Sequence, residues 1–165
     1  MELAIGFSNT KFIFSPVCVN DASEFFESIN SREFPSSLPL AEIKTLAQAK
    51  AWCLDMVSGW ESGKCYVWTC RRSSDLTIVG QVTLLPKENC LALAYWVVPS
   101  LWGQGIATEM CKSLLAHIQR TGYRGNVWAG VHSWNARSSA VLKKLGFREI
   151  ESSAESTGYL LEIEC

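Results

Sequence analysis

The stretch at residues 90–122 constrains this chain more than any other. CLALAYWVV, residues 90–98, is an almost wholly apolar run of strand length, the pattern of a strand covered on both faces. It passes through Pro99 into a turn carrying Gly103 and Gly105. After the turn, Ile106, Met110, Leu114 and Ile118 recur every four residues, with Cys111 and Leu115 beside them. That stripe is the apolar face of an amphipathic helix, and Gly122 ends it. The order strand, glycine turn, helix sets a helix N-terminus at the end of a buried strand. Such a terminus presents unpaired N–H groups and a partial positive charge. Glycine lets the backbone approach an anion closely, so a phosphate or pyrophosphate is the natural ligand.

The choice among phosphate ligands follows from what the turn lacks. The dinucleotide pattern G-x-G-x-x-G needs a third glycine where Thr108 stands, and the pattern G-x-x-x-x-G-K-[ST] is absent. The preceding strands also read as antiparallel. Residues 64–70 alternate, with Tyr66 and Trp68 on one face and Val67 and Thr69 on the other. Residues 76–85 are rich in Val, Ile and Thr, and the turns RRSSD and PKEN are short and polar. An antiparallel meander is the economical topology, which argues against the nucleotide-binding parallel folds.

The rest of the chain fills in a mixed arrangement. Residues 11–18 read as a first strand, and Asp21 with Glu24 as a capping box for a short helix carrying Phe25 and Phe26. NSREFPSSLPL, residues 30–40, reads as a loop punctuated by Pro35 and Pro39. Residues 41–58 read as a second helix, broken by Gly59 and Gly63. Downstream come a strand at 126–131, a helix at 136–145 capped by Asn135 and stopped by Gly146, and strands at 147–151 and 159–164. The order β-α-α-β-β-β-α-β-α-β-β is α/β (α+β): a central mixed, mostly antiparallel sheet flanked by helices. With 165 residues, 48% of them hydrophobic, one domain over residues 1–165 can bury one sizeable core.

A net charge of −1 gives no electrostatic case for nucleic acid. The seven cysteines, Cys18, Cys53, Cys65, Cys70, Cys90, Cys111 and Cys165, form no Cys-x-x-Cys pair, and neither His117 nor His132 completes a metal ligand set. Free thiols point to a reducing cytoplasm and no metal. The N-terminal residues lack signal-peptide character, and no apolar stretch of about 20 residues offers a membrane span.

VVPSLWGQGIATE, residues 97–109, resembles the acyl-CoA-binding signature of the GNAT acetyltransferases, usually Q/R-x-x-G-x-G/A. Gly105 and Ala107 match it, and Trp102 stands where Gln or Arg is common. The Trp-Gly-x-Gly variant resembles the branch of ribosomal-protein N-terminal acetyltransferases. NARSSAVLKKLGF, residues 135–147, resembles the family's second segment, N-x-x-S…L-x-K-x-G-F, with Asn135 and Ser138 at its polar positions. The resemblance is specific over residues 95–147 and matches elsewhere in element order.

The resemblance implies an acetyl-CoA co-substrate and an amine acceptor. It assigns the CoA pyrophosphate to the backbone amides from Trp102 to Thr108, with Gly103, Gln104, Gly105, Ile106 and Ala107 central. It implies that the preceding strand splays at a bulge, that Val97 and Val98 pair through their main chain with the pantetheine arm, and that a nearby N–H polarises the thioester. Asn135 would hold that arm. Ser138 would serve the leaving sulfur, because the family's usual helix tyrosine is replaced by Leu142. The usual glutamate base is replaced by Ala92, leaving His132, or a water chain with an acceptor of low pKa, to remove the amine proton. Glu109 reads as a cap or ion-pair residue. Phe34, Trp68 and Gln81 are candidates to line the acceptor side. The acceptor stays open between a protein or peptide N-terminus and a polyamine, antibiotic or other small amine. A module that binds acyl-CoA without turnover is the alternative from another class.

Overall fold

The structure, a computed structural model, describes residues 3–164. Cys165 lies outside them. Eight strands form one sheet in the order β1-β2-β3-β4-β5-β6-β8-β7. They are β1 (Phe7–Ser8), β2 (Phe12–Pro16), β3 (Tyr66–Arg72), β4 (Ile78–Pro86), β5 (Cys90–Val97), β6 (Gly125–His132), β7 (Arg148–Ser152) and β8 (Ser156–Ile163). The helices are α1 (Ala22–Ile29), α2 (Leu46–Glu61), α3 (Ile106–Arg120) and α4 (Ala136–Lys144). Every pairing is antiparallel except β5 with β6. No helix among the described residues is long and apolar enough to cross a membrane.

Alternation divides the core between the two faces of the sheet. Phe14, Trp68, Leu93 and Val97 pack with Met110, Leu114 and Ile118 of α3 and Leu142 of α4. Val67, Ile78 and Trp96 face the other way, against Phe25 of α1 and Ala49 and Cys53 of α2. Met110, Leu114 and Ile118 are completely buried. Each such side chain contributes about 1.5–3 kcal/mol, which is why the period-four stripe is so readable.

The structure departs from the sequence reading at several local points. β1 is only two residues long, too short for a pattern, and exists because Phe7 stacks between Phe14 at 4.4 Å and His117 at 4.3 Å. Asp21 and Glu24 do not form a capping box at α1. Asp21 accepts hydrogen bonds from the Cys18 N–H and the Thr69 hydroxyl, and both carboxylates pair with Arg71. Asp21 instead closes a box with Cys18 over the short 3-10 turn before α1, another box stands at α2, where Thr45 caps Gln48 and Gln48 reaches back, and Pro39–Glu42 is a separate 3-10 turn. Gly59 does not break α2. It sits inside the helix, where an added Cβ would collide with Cys65 Sγ, so packing selects glycine there. The helix ends instead at Ser62, followed by Gly63 at φ +74°.

The decisive feature for function lies between β5 and β6. Their parallel pairing covers only Cys90–Ala92, ending at Ala92 opposite Trp128. Beyond that point β6 stays paired with β8 and β5 stays paired with β4, so the two strands part. The expected bulge in β5 is not there: the β4–β5 register runs unshifted from Gly80 opposite Val97 to Pro86 opposite Leu91. The gap comes from lost pairing between strands rather than from an extra residue within one.

Candidate active site

The gap exposes one side of the β5 main chain. Val98 donates its N–H to Val79 O at 2.8 Å and accepts from the Leu101 N–H at 2.9 Å. Val98 is therefore spent inside the fold, contrary to the expectation that it meets a ligand. Because successive amides alternate in direction, the Val97 N–H points away from β4 and into the gap. The Val97 carbonyl is taken by the Trp102 indole N–H at 3.0 Å. What remains at Val97 is a single main-chain donor at the mouth of the turn.

The turn itself is built as its glycines require. Pro99–Leu101 forms a 3-10 turn, and Gly103 and Gly105 both take left-handed φ values, +80° and +75°. No atom lies within 4 Å of a Cβ added at either, so conformation alone selects glycine here. Gly105 caps α3 without a side-chain hydrogen bond, and the first bond of the helix runs from the Glu109 N–H to Gly105 O. The amides of Ile106, Ala107 and Thr108 precede that bond, at the positive end of the helix dipole. Gly103, Gln104 and Gly105 are exposed, whereas the Ile106 side chain is buried in the core.

A cavity of about 460 Å³ opens beside this turn. From one face of the sheet it is lined by Tyr95, Val97, Trp102, Asn135, Ser138 and Val141, and from the other by Trp96 with Phe34, Pro35 and Leu38 of the loop after α1. Tyr95 and Trp96 are neighbours on β5 and point to opposite faces, so the cavity passes through the sheet at the gap. Trp134, half exposed, stands at its edge. Arg137 of α4 lies over the Trp102 ring at 4.7 Å, a cation–π contact that ties α4 to the turn.

Val97, Trp102, Asn135 and Ser138 thus meet in one cavity, while Gly103 to Thr108 run on from Trp102, and Gln104 and Ile106 line a separate cleft with Thr10, Phe12 and Arg72. Asn135 uses Oδ1 to cap the Ser138 N–H at 3.1 Å, leaving Nδ2 as the atom that can serve a ligand. The Ser138 hydroxyl is hydrogen-bonded to the Tyr95 hydroxyl. Burial pushes the Tyr95 phenol well above its usual pKa, with Cys111 adding to the shift and Ser138 opposing it, so the phenol stays protonated. Within the apolar run of residues 90–98 nothing marks Tyr95 as a site residue except its alternation with Val97.

Other candidates fall elsewhere. Leu142 is fully buried in the core, and Ala92 is buried within the sheet opposite Leu85 and Trp128. His132 is exposed and stacks at 5.5 Å on Trp134 at the cavity's edge, without being a lining residue itself. Glu109 pairs with Lys11 at 2.9 Å. Phe34 lines the cavity as expected, but Trp68 and Gln81 are buried behind its wall. Among the described residues, Glu33 is the one carboxylate of the lining, and no cysteine is part of it.

Residues 11–148 match the family model described as acetyltransferase (GNAT) domain. No curated protein matches the sequence. Among solved structures, the chain is similar to a ribosomal alpha-N-protein acetyltransferase, RimL, in complex with coenzyme A, at TM-score 0.83 and 15% identity over 94% of this chain and 96% of that one. It is similar to the microcin C7 self-immunity acetyltransferase MccE in complex with acetyl-CoA and AMP, at TM-score 0.82 and 17% identity over 94% of each chain. It is also similar to RimJ of Mycobacterium smegmatis in complex with a CoA disulfide, at TM-score 0.79 and 20% identity over 92% of this chain and 81% of that one. At these identities the structures speak to the fold alone. The family match runs from β2 to the start of β7 and takes in the turn, the gap and α4, and on it the chain belongs to the GNAT acetyltransferases, acetyl-CoA-dependent N-acyltransferases.

Proposed function

We propose that this chain, acting as one domain over residues 1–165 in the cytoplasm, moves an acetyl group from acetyl-CoA to a primary monoamine, a protein or peptide N-terminal α-amine fitting best. The observation that carries the reading is convergence. The free Val97 N–H and the Ser138–Tyr95 pair border one cavity through the sheet, and the glycine turn, exposed from Gly103 to Gly105, runs on directly from Trp102 in the cavity wall.

The residues present fit acetyl-CoA. The amides from Gly103 to Thr108 suit its pyrophosphate, the gap edge of β5 and Asn135 Nδ2 suit the amides of its pantetheine arm, and Val97 N–H suits a thioester oxygen. When bound, acetyl-CoA supplies an acyl group that an amine can take directly, forming a C–N bond as the C–S bond breaks, with the proton lost by the amine passing to water or to the departing thiolate. Val97 N–H holds the carbonyl oxygen as negative charge grows on it. Ser138 hydrogen-bonds the departing sulfur. A thiol pKa near ~8.5 lets the sulfur leave as thiolate, so the serine hydroxyl need lend only a hydrogen bond. Tyr95, held protonated, donates to Ser138 Oγ and leaves the serine proton free to face the sulfur. No cysteine among the described residues lines the cavity, which favours direct attack over an acyl-enzyme; burial pushes the Cys53 thiol, for one, up to about 12.

Charge supports a monoamine. A polyamine or aminoglycoside would ask for several carboxylates, and the lining supplies one, Glu33, against Arg137. Protonation favours an α-amine: at pH 7 about one α-amine in ten is neutral, against fewer than about one lysine side chain in a thousand. That matters because Ala92 carries no base and His132 is not among the lining residues, which leaves the Glu33 carboxylate alone in the lining among the described residues. The loss of the usual glutamate at Ala92 favours the second reading, a module that binds acyl-CoA without turnover. The six cysteines within the described residues carry no disulfide, which suits a reducing compartment.

Acetyl-CoA binding by calorimetry, followed by thiol release with N-terminal peptides, simple monoamines and polyamines, tests the proposal. Turnover with the first two and not the third is expected. Binding without turnover would establish the module instead, and no binding would remove both readings.

A further inference from the structure

Behind the cavity wall, four residues from separate elements form one hydrogen-bonded chain. The Trp96 indole donates to Gln81 Oε1 at 3.0 Å, the Gln81 amide donates to Thr69 Oγ1 at 3.3 Å, and the Thr69 hydroxyl donates to Asp21 Oδ2 at 2.8 Å. Asp21 is anchored in turn by Arg71 at 2.9 Å and the Cys18 N–H at 3.1 Å. Only one set of orientations satisfies it. The indole can only donate, so the amide oxygen must face Trp96. The amide NH2 must then donate to Thr69, whose own proton is left for a carboxylate that can only accept.

This chain runs through a layer that is otherwise apolar. Thr69 and Gln81 are almost fully buried, at 0% and 1% exposure, among Val67, Ile78 and Phe25. Apolar side chains of similar volume would stabilise such a layer as well or better, because buried polar groups lose their water. What the polar chain adds is direction: it locks the Trp96 ring in one orientation. That ring meets Phe34 edge-on at 5.9 Å, and both line the cavity from the side of the loop after α1. The Val97 N–H and Ser138 lie at the other side, where the thioester belongs.

We propose that Gln81, anchored through Thr69 on Asp21, is a positioning residue for the acceptor, setting the Trp96–Phe34 wall against which the amine is laid. The inference rests on the acetyltransferase reading of the cavity. A misaligned wall would misplace the amine and leave the acetyl-CoA side intact.

The test compares wild type with Gln81→Met, which keeps the length and removes both bonds. Acetyl-CoA affinity by calorimetry should stay within about twofold, while the KM for the best amine rises about tenfold and kcat changes less. A lowered Tm with KM unchanged would overturn the proposal, as would an equal loss of acetyl-CoA affinity. Trp96→Phe gives a second route if Gln81→Met does not fold: it should raise KM similarly, and an unchanged KM overturns the proposal. Where both fold, Gln81→Met should add nothing in the Trp96→Phe background, and full additivity overturns it. If the wild type transfers to no amine, the acetyltransferase reading fails separately. The chain is then read from exchange of the Trp96 indole N–H in the acetyl-CoA complex: slow in wild type and fast in Gln81→Met upholds it, and equal rates overturn it.

Discussion

The Tyr95 hydroxyl, on β5, and the Ser138 hydroxyl, in the first turn of α4, are joined by a hydrogen bond across the opening of the sheet. Both hydroxyls are protonated and either can donate; in the proposed mechanism Tyr95 donates and Ser138 accepts. Replacing Tyr95 with Phe removes one neutral hydrogen bond of about 1 kcal/mol, so kcat should fall roughly fivefold. Ser138→Ala removes the group that meets the sulfur and should cost more, on the order of tenfold to a hundredfold in kcat. Both should leave acetyl-CoA affinity within about twofold. In the double variant the Tyr95 effect should vanish, since its partner is gone. The sign of the pKa shift adds a check. The phenol's folded pKa lies above its unfolded value near ~10, so it is protonated throughout the range below that. The pH profile of Tyr95→Phe should therefore keep the wild-type shape, and loss of an alkaline limb in that variant would contradict a positioning role.

Gly105 offers a cleaner conformational test than most glycines. Its φ is +75° and nothing stands within 4 Å of an added Cβ, so alanine meets strain without a clash. Left-handed geometry costs an ordinary residue about 1–2 kcal/mol. If the turn relaxes to relieve that, its amides lose their aim, and acetyl-CoA affinity should drop about tenfold in Gly105→Ala. Asparagine tolerates the left-handed region, so Gly105→Asn should lose less. Equal losses for the two, measured by calorimetry, would mean that side-chain bulk against the ligand matters and not backbone conformation.

How far the sequence carried this reading depended on whether a signal was local. The α3 stripe, the glycine turn and the Asn135 cap are each written within about fifteen consecutive residues, and all three stand in the structure. The pairing state of β5 is not local. Val98 rather than Val97 is spent because Val79 lies opposite it, and no pattern within residues 90–98 records which amide faces β4. The Tyr95–Ser138 bond spans 43 positions and the Thr69–Asp21 bond 48. Gln81 reads as a polar residue in a strand until Trp96 and Thr69 are seen on either side of it. The same distance explains the misread caps: Asp21 and Glu24 have the spacing of a capping box, but Arg71, from β3, competes for both carboxylates.

His117 predicts an acid-sensitive fold. It is buried at 3% exposure beneath the N-terminal segment, with Nε2 at 2.8 Å from Leu3 O, its ring on Phe7 and Trp68, and Arg120 nearby. Burial lowers its pKa, the Leu3 carbonyl opposes that, and Arg120 lowers it further. With the folded pKa below the unfolded value of about 6.5, the unfolded chain takes up the proton first on acidification. The stability that neutral His117 provides is complete above that pH and is lost as pH falls towards the folded pKa. Tm measured at pH 7.5 and pH 5.5 should therefore differ more in wild type than in His117→Gln, which keeps a donor for Leu3 and cannot titrate. An identical acid shift in both would place the sensitivity elsewhere.

Asn135 carries a structural duty and a proposed ligand duty on different atoms, so two substitutions can separate them. Oδ1 caps the Ser138 N–H at 3.1 Å, and Nδ2 is the donor available to the pantetheine arm. Asn135→Ala removes both atoms and should cost about 1 kcal/mol of stability through the lost cap. Aspartate is as good a cap and favours the positive end of α4, so Asn135→Asp should keep the wild-type Tm. It has no N–H to donate, however, and should bind acetyl-CoA about as weakly as Asn135→Ala. Thermal melts and calorimetry on the pair decide the matter. If Asn135→Asp keeps both Tm and affinity, capping is the whole of the residue's work, and the pantetheine arm must be held by the β5 main chain alone.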